Sequence, residues 1–158
     1  TPLSSSAASD VYKRQLYSSF AIGNFVKAYS KEEAEKTLIE NKIVILVGGL
    51  GNPLFTTDST ASVRAVELNS DIMLKATTVD GIYSDDPKIN KKAIKYDFLT
   101  FDEAITKNLK VMDQTSLCFC RDNNLDVRVF NADSQGAILE AITNENTKIG
   151  TLVRLKND

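Results

Sequence analysis

The chain has 158 residues, 42% of them hydrophobic and 25% charged, a balance that predicts a folded globular protein and argues against disorder. Its 19 basic and 21 acidic residues give a net charge of -2, with no long run of one sign, which excludes a nucleic-acid footprint and a basic membrane-docking surface. Histidine is absent, so Ser-His and Cys-His hydrolase schemes and the usual zinc sites are excluded, and chemistry falls to Asp, Lys, hydroxyls and backbone.

Residues 1 to about 15 (TPLSSSAASDVYKRQ) are small and polar without an apolar period, which predicts a disordered leader. SSAASDVYKRQ also resembles translated adapter sequence from the ends of gene fragments, so the leader is expected to be non-native and the natural N-terminus cut away. Residues 16–158 are expected to form the folded part. Ser30 with Glu33 has the spacing of a capping box, and the segment to Glu40 is rich in Glu, Lys, Ala and Leu, predicting a helix. Lys42 to Val47 (KIVILV) predicts a strand buried on both faces, followed at once by a glycine-rich loop. Thr57 or Asp58 is expected to cap a helix to about Asn69, and Asp71 to Ala76 (DIMLKA) returns as a second buried strand, completing a βαβ unit.

The stretch from Val79 to Pro87 is turn-rich and is expected to form a ligand-facing loop without regular structure. Thr100 with Glu103 makes a second capping box for a helix to about Asn108, and Asp113 caps another to about Asn123. Val127 to Phe130 predicts a strand, Gln135 to Thr143 a helix with Ser134 near its cap, and Gly150 to Val153 a last short strand. Alternation of strands and helices predicts an α/β fold with a mainly parallel sheet. Cys118 and Cys120 lie two apart on a predicted helix, on different faces at ~100° per residue, so they form neither a metal pair nor a disulfide. No apolar run approaches the roughly 20 residues of a membrane span and no secretory signal opens the chain, which leaves the cytoplasm as the expected compartment.

In open α/β sheets ligands gather beyond the carboxyl ends of strands, where loops expose backbone N–H groups and helix N-termini. Two loops take that position. Gly48 to Asp58 (GGLGNPLFTTD) combines glycines, two threonines and a helix start, which suits a phosphate group; the same residues equally suit a plain strand-to-helix turn. Lys75 to Pro87 (KATTVDGIYSDDP) opens on a lysine able to meet phosphates as a point charge. There Tyr83 is placed to lie against a base and Asp86 to accept from a ribose, or each serves the turn and core.

Taken together, GNPLFTTD, LKATTVDGIYSDDP, YDFLTFDEAITKNLKVMD, DVRVFN and GTLV resemble, in order and spacing from about Lys31 to Val153, the bacterial-type UMP kinases of the amino acid kinase superfamily. The resemblance implies a three-layer αβα sandwich with a mainly parallel sheet, truncated here at its N-terminus, and transfer of the γ-phosphoryl group of ATP to UMP. It implies that Gly51, Asn52, Pro53, Phe55, Thr56 and Thr57 hold UMP. Thr77, Tyr83 and Asp86 would touch ATP, with Lys75 as a further phosphate contact, and Asp58 and Asp113 would be the acidic positions organising the reacting groups. Leu50 stands where the family usually has threonine, and Leu54, where it usually has phenylalanine, is expected to pack. ATP would bring Mg²⁺, held largely by phosphates and water, so no protein metal site is expected.

Homohexameric assembly, activation by GTP and inhibition by UTP are further implications of the resemblance. The family's K-L-S-G-like strand and G-G-G-N-like loop do not occur in this sequence, so the 158 residues are expected to be an incomplete, inactive portion. Two other readings compete. One is a kinase of the same superfamily acting on an acyl acid or carbamate, and the other is a non-catalytic nucleotide-binding module.

Overall fold

A computed structural model describes residues 13–110 and 112–156. Its contacts form two compact units, residues 1–60 and 61–158. Residues 1–12 of the predicted leader lie outside the described residues, while Arg14 and Gln15 already open the first strand.

The first unit contains β1 (Arg14–Ser18), β2 (Lys27–Ala28), α1 (Lys31–Ile39) and β3 (Ile43–Val47), with the strands all parallel in the order β2-β1-β3. Arg14 stands opposite Ile43 and Ser18 opposite Val47, so β1 and β3 end level. Tyr17 of β1, only 2% exposed, ties the sheet to α1: its hydroxyl lies 3.0 Å from Thr37 Oγ1 and donates to Glu33 O at 3.2 Å. Two expectations are corrected here. Ser30 is the N-cap of α1 but makes no side-chain cap bond, and the Glu33 carboxylate, the other half of the box, pairs with Lys27 at 3.1 Å. β3 is not buried on both faces: Ile43, Ile45 and Val47 alternate at 65%, 38% and 41% exposed. A uniformly apolar run has no alternation from which a covered face can be read.

The second unit receives α2 (Thr57–Glu67), whose first turn belongs to the first unit, and continues with β4 (Ile72–Thr77), β5 (Ile82–Tyr83), β6 (Lys95–Tyr96) and β7 (Phe98–Thr100). There follow α3 (Phe101–Thr106), α4 (Gln114–Asp122), β8 (Asp126–Asn131), α5 (Ala137–Thr143) and β9 (Thr151–Arg154). Four strands form a sheet in the order β4-β8-β9-β7; β4 with β8 and β7 with β9 are parallel, β8 with β9 antiparallel. Parallel pairs therefore predominate, as the α/β reading required. The predicted βαβ unit is altered, because β3 pairs with β1 in one sheet and β4 with β8 in another. The Val79–Pro87 stretch is also more regular than expected, since β5 forms an antiparallel pair with β6, Ile82 opposite Tyr96.

The core of this unit is built from Leu99, Phe101, Leu117, Val127 and Val153, each no more than 1% exposed. β8 sits between β4 and β9, so Val127, Arg128, Val129 and Phe130 are all buried. The Arg128 guanidinium, whose pKa is pushed down by burial, donates to Ile149 O at 2.9 Å. The Thr100–Glu103 capping box forms in full. On α4, Cys118 is half-buried and Cys120 buried, both as free thiols; burial raises the Cys120 pKa, the opposite of what a nucleophile requires. No helix among the described residues is long and apolar enough to cross a membrane.

Candidate functional site

In the first unit the glycine loop leaves the carboxyl end of β3 and enters α2. Gly48, Gly49 and Gly51 take φ of 77°, 63° and 76°, the left-handed region that side chains resist. Residues 51–57 are all exposed, so the predicted acceptor positions Gly51, Asn52, Pro53, Phe55, Thr56 and Thr57 form one continuous open edge. The cap of α2 is Thr56, not Thr57 or Asp58: Ser59 N donates to Thr56 Oγ1 at 3.1 Å, and Thr60 Oγ1 returns to Thr56 O at 2.9 Å. Thr57 is thereby the first helical residue and Asp58 sits in the first turn, where a carboxylate favours the positive end of the helix dipole. Leu54 does not pack as expected. It is fully exposed at φ 73°, a backbone state costing a non-glycine residue about 1–2 kcal/mol.

In the second unit a cleft of about 510 Å³ opens along β5 and the turn after it, with Tyr83, Asp85, Asp86, Lys88, Lys107 and Lys110 on its walls. Tyr83 and Asp86 both line this cleft, whereas Lys75 and Thr77 remain on β4, opposite Val129 and Asn131, and do not. The Tyr83 hydroxyl donates to Asp80 Oδ1 at 2.7 Å, which holds the ring and raises the phenol pKa. Asp86 Oδ1 accepts from Lys88 N at 2.9 Å, and Asp85 accepts from Asn90 Nδ2 and Asp86 N. Those bonds lower the Asp85 pKa and fix the turn that forms the rim. Lys107 places its ammonium 5.1 Å from the Tyr96 ring centroid and 3.9 Å from Glu103.

Asp113 is the N-cap of α4, and both its oxygens are engaged by Ser116, Oδ1 with the backbone N and Oδ2 with the hydroxyl, at 2.9 Å each. Among the described residues no group of three or more His, Cys, Asp or Glu side chains could hold a metal ion.

Residues 8–131 match the model of the amino acid kinase family. The chain belongs to that family. It is 44% identical over 141 residues to the uridylate kinase of Alcanivorax borkumensis, covering 89% of this chain and 55% of that protein. To the uridylate kinase of Coxiella burnetii it is 42% identical, covering 97% and 64%. Among solved structures, the UMP kinase of Bacillus anthracis superposes with a TM-score of 0.87 at 36% identity over 92% of this chain and 59% of that one. The UMP kinase of Ureaplasma parvum gives 0.84 at 37% over 94% and 63%. The chain thus spans between 55% and 64% of the length of these relatives.

Within this family fold the sequence pointed to the two loops but missed their neighbours. Lys107 and Lys110 reach the cleft wall from the end of α3 and the segment beyond it, far along the chain from Tyr83. Their only local signal was a pair of lysines three apart, which reads as a solvated helix end. Ser18 and Ser19, which touch the glycine loop from β1, carried no signal at all.

Proposed function

We propose that this chain is the acceptor- and nucleotide-binding portion of a UMP kinase, in which ATP and UMP give ADP and UDP. The observation that carries the reading is the exposed Gly51–Thr57 edge running into the N-terminus of α2, in a chain of the amino acid kinase family whose relatives include uridylate kinases. Glycines allow close backbone approach, the helix start offers partial positive charge, and the two threonines supply hydroxyls, a set matched to a phosphate monoester.

In this reading Gly51, Asn52, Pro53 and Phe55 shape the seat of the uridine, while Thr56 and Thr57 address the phosphate. Tyr83 lies against the adenine and Asp86 faces the ribose of ATP, with Thr77 and Lys75 serving the nucleotide from the strand end. Asp58 and Asp113 organise the reacting groups, Asp113 in addition to its capping role. Phosphoryl transfer asks chiefly for in-line positioning and charge stabilisation, which this histidine-free residue set is able to provide. Mg²⁺ arriving with ATP would neutralise charge on its phosphate oxygens; no residue of this chain is assigned to hold it. A cytoplasmic location, a homohexameric assembly, activation by GTP and inhibition by UTP belong to the same reading.

Calorimetric titration of the purified chain with UMP, N-acetylglutamate, aspartate and carbamate separates this proposal from an acyl-acid or carbamate kinase. UMP is expected to give saturable binding and the others none. Saturation by an acyl acid or carbamate with no response to UMP would contradict the assignment.

A further inference from the structure

The glycine loop rests on a floor made by the end of β1. Ser19 N donates to Val47 O at 3.3 Å, which carries the β1–β3 pairing one residue past the strand. The Ser19 hydroxyl then reaches two successive carbonyls of the loop, Gly48 O at 3.1 Å and Gly49 O in a short contact. The packing is close, and with φ at 77° and 76° it disfavours a side chain at Gly48 and Gly51. A Cβ on Gly48 would lie 2.7 Å from Ser18 Oγ, and one on Gly51 would lie 3.3 Å from Ser19 Cβ. Ser18 is 1% exposed, so this floor cannot shift toward solvent without opening the sheet.

A peptide unit is planar and trans, so fixing a carbonyl also fixes the N–H of the following residue on the opposite side. The single Ser19 hydroxyl proton is shared between the carbonyls of Gly48 and Gly49, and this three-centre contact orients the N–H groups of Gly49 and Leu50 away from β1. These are the last two donors before the exposed edge that begins at Gly51. Without the hydroxyl, glycines at φ near +70° have little else to select one orientation, because glycine populates many backbone states at similar cost.

We infer that Ser19 is a positioning residue for the acceptor loop, setting two peptide planes so that the loop is preorganised for a phosphate-bearing nucleotide. The inference rests on the reading of this loop as the UMP seat. Preorganisation of this kind acts on affinity by removing the ordering cost of binding.

The test uses the ¹⁵N-labelled 158-residue chain, Ser19→Ala, and Ser19→Thr, which keeps the hydroxyl. In Ser19→Ala the amide resonances of Gly49 and Leu50 should move and their heteronuclear NOE fall, while the Kd for UMP rises about 5- to 10-fold, the scale of one net hydrogen bond. Ser19→Thr should restore both readouts toward wild type, which a purely steric role for residue 19 would not produce. Adenine-nucleotide binding, assigned to residues of the second unit, should be unchanged in all three. Unaltered Gly49 and Leu50 amides in Ser19→Ala overturn the positioning role whatever UMP does. Altered amides in a chain whose wild type binds no UMP sink the acceptor reading instead and leave the plane-setting contact standing.

Discussion

Tyr83 and Asp80 make a measurable pair at the scale of single residues. The bond from the Tyr83 hydroxyl to the Asp80 carboxylate stabilises the protonated phenol and raises its pKa. A raised pKa means that the bond is intact below the ordinary phenol range and is lost as pH climbs through the elevated value. Following tyrosinate absorbance with pH should therefore show the Tyr83 transition displaced upward, and Asp80→Ala should return that transition to the ordinary range of about 10. An unchanged titration curve in Asp80→Ala would mean that the ring is not held this way in solution. Tyr83 and Asp86 were legible in the sequence because the turn residues around them mark a loop. The bond to Asp80 was not, since two polar residues three apart in an irregular stretch have no fixed geometry. The expected Ser30–Glu33 capping box does not form: spacing permits it, but the Ser30 side chain makes no cap bond and the Glu33 carboxylate pairs with Lys27.

The C-terminal ends of four helices share one chemistry. Asn41, Asn69, Asn108 and Asn124 all lie just beyond a helix at φ between 49° and 56°, and the chain closes each end with the paired bonds of a Schellman motif. At Asn124 these run from Asn124 N to Arg121 O and from Leu125 N to Cys120 O, at 3.2 and 2.9 Å. Leu125 is then driven into the core at 3% exposure. Asparagine tolerates the left-handed state better than other side chains, though less well than glycine. Asn124→Ala is thus expected to cost about 1 kcal/mol and lower the urea midpoint, whereas Asn124→Gly should hold or raise it; equal midpoints for the two variants would contradict this account of the helix end. The same scale explains what was not legible. β2, β5 and β6 are two residues each and β7 is three, too short for a period-2 pattern, so they exist through pairing and not through local signal.

At the scale of the whole molecule the proposed UMP and ATP surfaces fall in different compact units, the Gly51–Thr57 edge in residues 1–60 and the Tyr83–Lys110 cleft in residues 61–158. The loops were legible because glycine, threonine and aspartate cluster at strand ends; Ser19, Lys107 and Lys110 were not, because only folding brings them to the loops. The uniformly apolar β3 run likewise could not announce that Ile43, Ile45 and Val47 stay exposed. The most direct test of the central claim maps amide shifts of the ¹⁵N-labelled chain during separate titrations with UMP and a non-hydrolysable ATP analogue. Two disjoint sets are expected: Gly51, Asn52 and Phe55 to Asp58 responding to UMP, and Lys75, Thr77 and Tyr83 to Asp86, with the cleft-wall residues Lys107 to Lys110, responding to the ATP analogue. UMP shifting the Tyr83–Asp86 amides, or leaving Gly51–Asp58 unmoved at saturating concentration, would contradict it.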